Sequence, residues 1–184
     1  MNTTENIVEA YYRFCKNAFT MQDIKVVNGN NRQFDLLAVS LKPKKVFHVE
    51  SSVSLTDEKP LKHRYEDEAV ESLNRKFFGA LRVKNAKSTK SQSRSNYKTE
   101  IDNMYRTFGL HVDSIERVYC RWAFYQSNKK LEKYMKQMNI SKLSFRDDVL
   151  PALEKYIKTA HYEDDALRTL SLLSAYRKQI QKKK

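Results

Sequence analysis

The run Phe34 to Val39 and the run that begins at Val46 are both β-prone, and Leu41, Lys42, Pro43 and Lys44 between them read as a turn. With that turn centred between Lys42 and Pro43, opposed residues sum to 85, so Ser40 faces Lys45 and Asp35 faces Glu50. Directly opposed residues share a face, with Cβ atoms about 4.5 to 5.5 Å apart. Two carboxylates so placed repel unless a cation or a shared proton relieves them. A divalent cation is the natural relief. Mg²⁺ (or Mn²⁺) prefers one or two carboxylates completed by water and phosphate oxygens, and an ion held that way activates water and stabilises charge on phosphorus.

The strand after the turn, read as Val46 to Leu55, alternates. Phe47, Val49, Val53 and Leu55 point one way, and His48, Glu50, Ser52 and Ser54 the other, so one face is expected to be core and the other polar. His48 shares the face of Glu50, where it could touch a phosphate, position water or serve as a structural histidine. Asp35 lies in an apolar strand, flanked by Leu36, Leu37, Ala38 and Val39, and an acid there needs a reason.

Arg32-Gln33-Phe34-Asp35-Leu36-Leu37-Ala38-Val39, followed by Val46-Phe47-His48-Val49-Glu50-Ser51-Ser52, resembles the core of the PD-(D/E)XK nuclease superfamily, notably its archaeal Holliday junction resolvase and Mrr-like restriction branches. The resemblance covers residues 5 to 55 best and reaches about residue 124 by element order. It implies an α/β, restriction-endonuclease-like fold: a central mixed β-sheet flanked by helices, in the order helix, three-stranded meander, helix, strand, helix. It implies a metal-dependent DNA endonuclease in which Asp35 is the metal-binding Asp, Glu50 the second acid and Glu9 a glutamate from the first helix. Mg²⁺ or Mn²⁺ would be the cofactor and DNA the partner. A homodimer would fit cleavage of both strands. Gln33 replaces the usual Pro. Ser52 stands where the family places the catalytic Lys, so Lys62 or Lys76, before and on the next helix, could supply the amine. The loss of that Lys also supports a reading from another class, a catalytically inactive nucleic-acid-binding or assembly protein on the same fold. Glu9 has a plain alternative as well, a helix ion pair with Arg13 four residues on.

The elements that would position these residues follow from periodicity. Ile7, Tyr11, Phe14 and Ala18 predict a first helix over residues 5 to 20, and Ile24 to Asn28 a short strand closed by an Asn- and Gly-rich turn. Tyr65, Ala69, Leu73 and Phe77 predict a helix over 63 to 80, and a short one follows near 98 to 108. Residues 116 to 124 alternate as a strand, with Trp122 expected as a core anchor pointing the same way as Phe124. Helices are predicted over 128 to 138, 148 to 159 and 163 to 180, with Asp147 or Asp148 capping the second of them and Pro151 in its first turn.

The chain has 184 residues, of which 40% are hydrophobic, 31% charged, and only 3 Gly and 3 Pro, so residues 1 to 184 are expected to form one globular domain. Lys and Arg number 35 against 22 acids, a net charge of +13 that calls for a polyanionic partner. The excess is uneven. Arg82, Lys84, Lys87, Lys90, Arg94 and Lys98 meet no acid until Glu100, and a basic tail spans 177 to 184. Residues 82 to 98, without apolar period, are expected to be a mobile loop that clamps the DNA backbone. Neutralising about six phosphates would give a log affinity against log salt slope of roughly −5. Three scattered glycines exclude a dinucleotide fingerprint or a P-loop, and two distant cysteines with scattered histidines exclude a zinc site. No membrane span or signal peptide is legible, so a cytoplasmic protein is expected.

Overall fold

The computed structural model describes residues 3–29, 32–54, 63–79, 97–157 and 162–181. They form a five-stranded mixed sheet flanked by helices, in the order β1-β2-β3-β4-β5. The strands are β1 (Ala18–Lys25), β2 (Gln33–Leu41), β3 (Lys44–Ser52), β4 (Ile115–Arg121) and β5 (Ile140–Ser144). The first three run as an antiparallel meander, and β4 and β5 add in parallel. Among the described residues no helix is long and apolar enough to cross a membrane.

The β2–β3 register agrees with the sequence arithmetic: Ser40 pairs with Lys45 and Leu36 with Val49, so each pair sums to 85. Carried one residue further, it brings Asp35 opposite Glu50. The first helix is shorter than expected. α1 (Thr3–Ala10) passes into a single π-helical turn, Tyr11–Cys15, and the chain then reverses at Asn17, whose φ is 50°. Asn tolerates that left-handed conformation, so Ala18 starts β1 where periodicity alone extends the helix to residue 20.

Two helical layers cover the sheet. On one face α1, the π-helical turn, α5 (Leu150–Tyr156) and α6 (Asp165–Gln181) pack Val8, Tyr12, Leu153 and Leu167 against Leu36, Ala38, Val49 and Val118. On the other, α3 (Lys98–Thr107) packs Ile101 and Tyr105 against Phe34, Leu37 and Val46. α2 (His63–Phe78) and α4 (Lys129–Gln137) pack Leu73, Phe77, Leu131 and Met135 against Tyr119 and Ile140 there as well. Leu73 and Phe77, four residues apart, anchor α2, and full burial of each contributes about 1.5–3 kcal/mol.

Three further expectations change. β5 was not legible, because the five-residue run Ile140–Ser144 is too short and mixed to show a period. β4 ends at Arg121, so Trp122 and Phe124 are not on one face: Trp122 stacks near Phe145 in the α1 layer, at 6.1 Å, and Phe124 meets Tyr119 in the α2 layer. A π-helical turn, Phe145–Val149, precedes α5, and its cap is Ser144, not Asp147 or Asp148. Ser144 Oγ accepts from the Asp147 N–H, and Asp148 Oδ2 accepts in return from the Ser144 N–H at 2.7 Å, a reciprocal box.

Candidate active site

The face of β3 expected to be polar is polar but closed. His48 and Glu50 are both 0% exposed, and Asp35 on β2 is 8% exposed. Alternation placed them on one side correctly, but α2 and α3 cover that side, because Leu73 and Phe77 hold α2 across the end of β3. Buried carboxylates need partners, and the partners are present.

Lys76, one residue before Phe77 on α2, reaches down into the pair. Its Nζ donates to Glu50 Oε2 at 2.5 Å and to Asp35 Oδ2 at 2.9 Å, and its side chain stays partly exposed. The Ser51 N–H donates to the same Asp35 oxygen at 2.8 Å. The other Glu50 oxygen, Oε1, lies 2.8 Å from His48 Nε2, and His48 Nδ1 lies 2.6 Å from the Tyr105 hydroxyl on α3. A continuous polar row, Tyr105–His48–Glu50–Lys76–Asp35, therefore crosses an otherwise apolar layer.

Protonation follows from these contacts. Burial raises Glu50, but the His48 hydrogen bond and the Lys76 charge outweigh it and hold the carboxyl below its ordinary value. Burial, against the pull of Glu50, pushes His48 down, so the ring is neutral. An ionised carboxylate only accepts, so Nε2 carries the ring proton toward Glu50, and bare Nδ1 accepts from Tyr105. Burial and then the nearby Glu50 charge push Asp35 up to about 7, against the pull of Lys76 and the Ser51 N–H. Burial lowers Lys76, but Glu50 and Asp35 together carry it above its ordinary value.

The sequence candidates thus separate. Asp35, Glu50, His48 and Lys76 are brought together. Ser52 is exposed at the last residue of β3 and offers a hydroxyl where the family pattern has an amine. Glu9 is elsewhere: its Oε1 accepts from Thr20 Oγ1 at 2.7 Å, and Thr20 pairs with Ala38 on the α1 face of the sheet, opposite to Glu50. Its alternative pairing is absent too, since Arg13 reaches Asp164 at 3.3 Å. Lys98 donates to Asp102 on its own helix at 3.0 Å. Lys62, Arg82, Lys84, Lys87, Lys90 and Arg94 lie outside the described residues, as does the end of the basic tail. Tyr105 is the site residue for which the sequence offers the least signal. Only its spacing on α3 from Ile101, four residues earlier, pointed inward.

The donor set suits a hard cation. Asp35 Oδ2 and Glu50 Oε2 converge on one positive charge, now the ammonium of Lys76. Among the described residues there is no group of three His, Cys, Asp or Glu able to hold a metal. If a metal entered, Asp35 and Glu50 could hold it by one or two carboxylate oxygens with water in the remaining positions, a donor set of the kind Mg²⁺ or Mn²⁺ takes and not that of a structural zinc. No family model, curated protein or solved structure matches this chain.

Proposed function

We propose that the chain is a metal-dependent DNA endonuclease of the PD-(D/E)XK type on a restriction-endonuclease-like fold, with Lys76 of α2 taking the place that Ser52 leaves without an amine. The observation that carries this reading is the double hydrogen bond from Lys76 Nζ to Asp35 and Glu50. Three residues from three elements meet there, and an acid pair able to hold a cation beside one amine is a set that can support metal-assisted phosphodiester hydrolysis.

Asp35 and Glu50 would hold Mg²⁺ or Mn²⁺, which supplies Lewis acidity toward a phosphate oxygen and lowers the pKa of water. The chain's own residues do the rest. Lys76 keeps its protons at neutral pH, so it acts as a donor that orients water or a phosphate oxygen, not as a base. His48, held by Tyr105, fixes the rotamer of Glu50 and keeps it ionised. The net charge of +13 supports a polyanionic substrate, with the basic segment near 82–98 as its clamp.

One observation favours the inactive binding or assembly reading: Glu50 is fully enclosed, and both of its oxygens are engaged, by His48 and by Lys76. Cleavage of single-stranded, duplex and branched DNA in Mg²⁺, Mn²⁺ or Ca²⁺, beside Asp35→Asn, separates the two. Hydrolysis in Mg²⁺ or Mn²⁺ that the variant loses supports the nuclease. Steeply salt-dependent binding by both proteins, with no cutting in any metal, supports the binding module.

A further inference from the structure

On the face of the sheet turned away from Asp35 and Glu50, and at the opposite end of its strands, a cavity of about 350 Å³ lies beside the β2–β3 turn. That is the small end of the range of ligand pockets, roughly 300–1,000 Å³, with room for one nucleotide but not for a length of strand. Its floor is apolar, built from Tyr12, Phe47, Val118 and Leu143. The Tyr12 and Phe47 rings sit 5.2 Å apart and form a tilted aromatic wall.

Two hydroxyls line it, those of Tyr12 and Ser40, residues that are otherwise 3% and 4% exposed. Neither oxygen is among the buried polar atoms left without a partner, so both are open to the cavity, where a polar group of a ligand can meet them. Burial keeps the Tyr12 phenol protonated, hence a donor. The mouth is cationic. Lys45 is tied to Glu116 at 3.3 Å, but Lys16 makes no ion pair among the described residues and lies 5.3 Å over the Tyr11 ring. The Glu116 carboxylate on the rim is occupied by Lys45 and by Ser141 Oγ, at 3.4 Å.

We infer that this cavity is a second binding site, for a nucleoside 5′-monophosphate: the base lies against Tyr12 and Phe47 with its edge on the Tyr12 and Ser40 hydroxyls, and the phosphate meets Lys16. Stacking on aromatics accepts any base, and the amine answers the phosphate charge. The same chemistry is presented by a free nucleotide and by the phosphorylated end of a strand. The site shares no residue with the Asp35 site, so it stands or falls apart from the nuclease reading.

Calorimetric titration of the full chain in chelator tests it, with 2′-deoxyadenosine 5′-monophosphate, deoxyadenosine, inorganic phosphate and a 5′-phosphorylated trinucleotide as probes. The monophosphate should bind, and deoxyadenosine and phosphate alone should each bind about tenfold more weakly or worse. Lys16→Ala and Tyr12→Phe should each weaken it about three- to tenfold, and Asp35→Asn should leave it unchanged. Binding of the trinucleotide with the same variant sensitivity identifies a strand end as the source, and binding of the monophosphate alone identifies a free nucleotide. No binding of the monophosphate, phosphate binding as tightly as the monophosphate, or affinity untouched by both variants would overturn the proposal. Lys16 is exposed and Tyr12→Phe keeps the ring, so both variants should fold, which their melting curves would verify.

Discussion

Lys76 and Glu50 are 26 residues apart in the chain and come from different layers of the fold, yet their Nζ and Oε2 atoms are 2.5 Å apart. The contact exists because α2 is docked by Leu73 and Phe77, and Lys76, three residues after Leu73, shares that buried side of the helix. Lys76→Met keeps the stem and removes the charge. It should reduce single-turnover DNA cleavage about 10²–10³-fold, the usual cost of losing one preorganised donor. Cutting by the variant at the parent rate would end the assignment of Lys76 as the site's amine.

His48 and Tyr105 touch Glu50 rather than the substrate, so they are positioning residues. Tyr105→Phe leaves His48 Nδ1 buried without its donor, which should cost about 1–3 kcal/mol in urea unfolding. It should also lower kcat for DNA cleavage several-fold while leaving KM near the parent value, because Glu50 would be held less firmly while the DNA contacts persist. A purely structural tyrosine would lower stability and leave kcat per folded molecule intact.

Asp35 gives the metal-free protein a pH signature. An unfolded Asp titrates near ~3.9, and burial with the Glu50 charge raises Asp35 to about 7 in the fold. Between those values the folded state binds the extra proton, so stability falls as pH rises. Asp35's favourable contribution is whole below pH ~4 and gone once pH passes about 7. Asp35→Asn removes the titration and can still accept from the Ser51 N–H. In chelator, urea unfolding should therefore favour the variant over the parent progressively between about pH 5 and about pH 8, by roughly 1–3 kcal/mol at the upper end. A stability difference that stays flat across that range would show that Asp35 titrates normally.

The β2–β3 register was legible because a short turn fixes it and period-2 alternation then assigns every side chain to a face. That was enough to pair Asp35 with Glu50. The state of that face was not legible. Alternation of His48 and Glu50 with Phe47 and Val49 reads the same whether the polar side meets water or meets Lys76 and Tyr105, since both partners arrive from helices distant in sequence. The same limit separates the helix candidates. Lys76 and Glu9 each sit on a helix beside the meander, and only the side of the sheet that each helix covers distinguishes them. Local signals failed where the backbone turned on a single residue, as at Asn17, or where a strand had five mixed residues, as in β5.

Glu9 and Ser52 test that distinction directly. Family resemblance gives both a role, as a helix glutamate on the metal and as the occupant of the lysine position. The structure puts Glu9 on the α1 face with Thr20, across the sheet from Glu50, and leaves Ser52 exposed at the end of β3. Glu9→Gln keeps the size and the hydrogen bond to Thr20, and Ser52→Ala removes only a hydroxyl. Each should cleave DNA within about threefold of the parent, less than the ~10²-fold expected for a group that acts on the reacting atoms. They should also show the parent's Mg²⁺ dependence, because among the described residues neither hydrogen-bonds to Asp35, Glu50 or Lys76. A Mg²⁺ requirement raised tenfold or more by Glu9→Gln would mean that α1 reaches the metal after all, around the edge of β1. The site would then hold three carboxylates rather than the two that Lys76 now bridges.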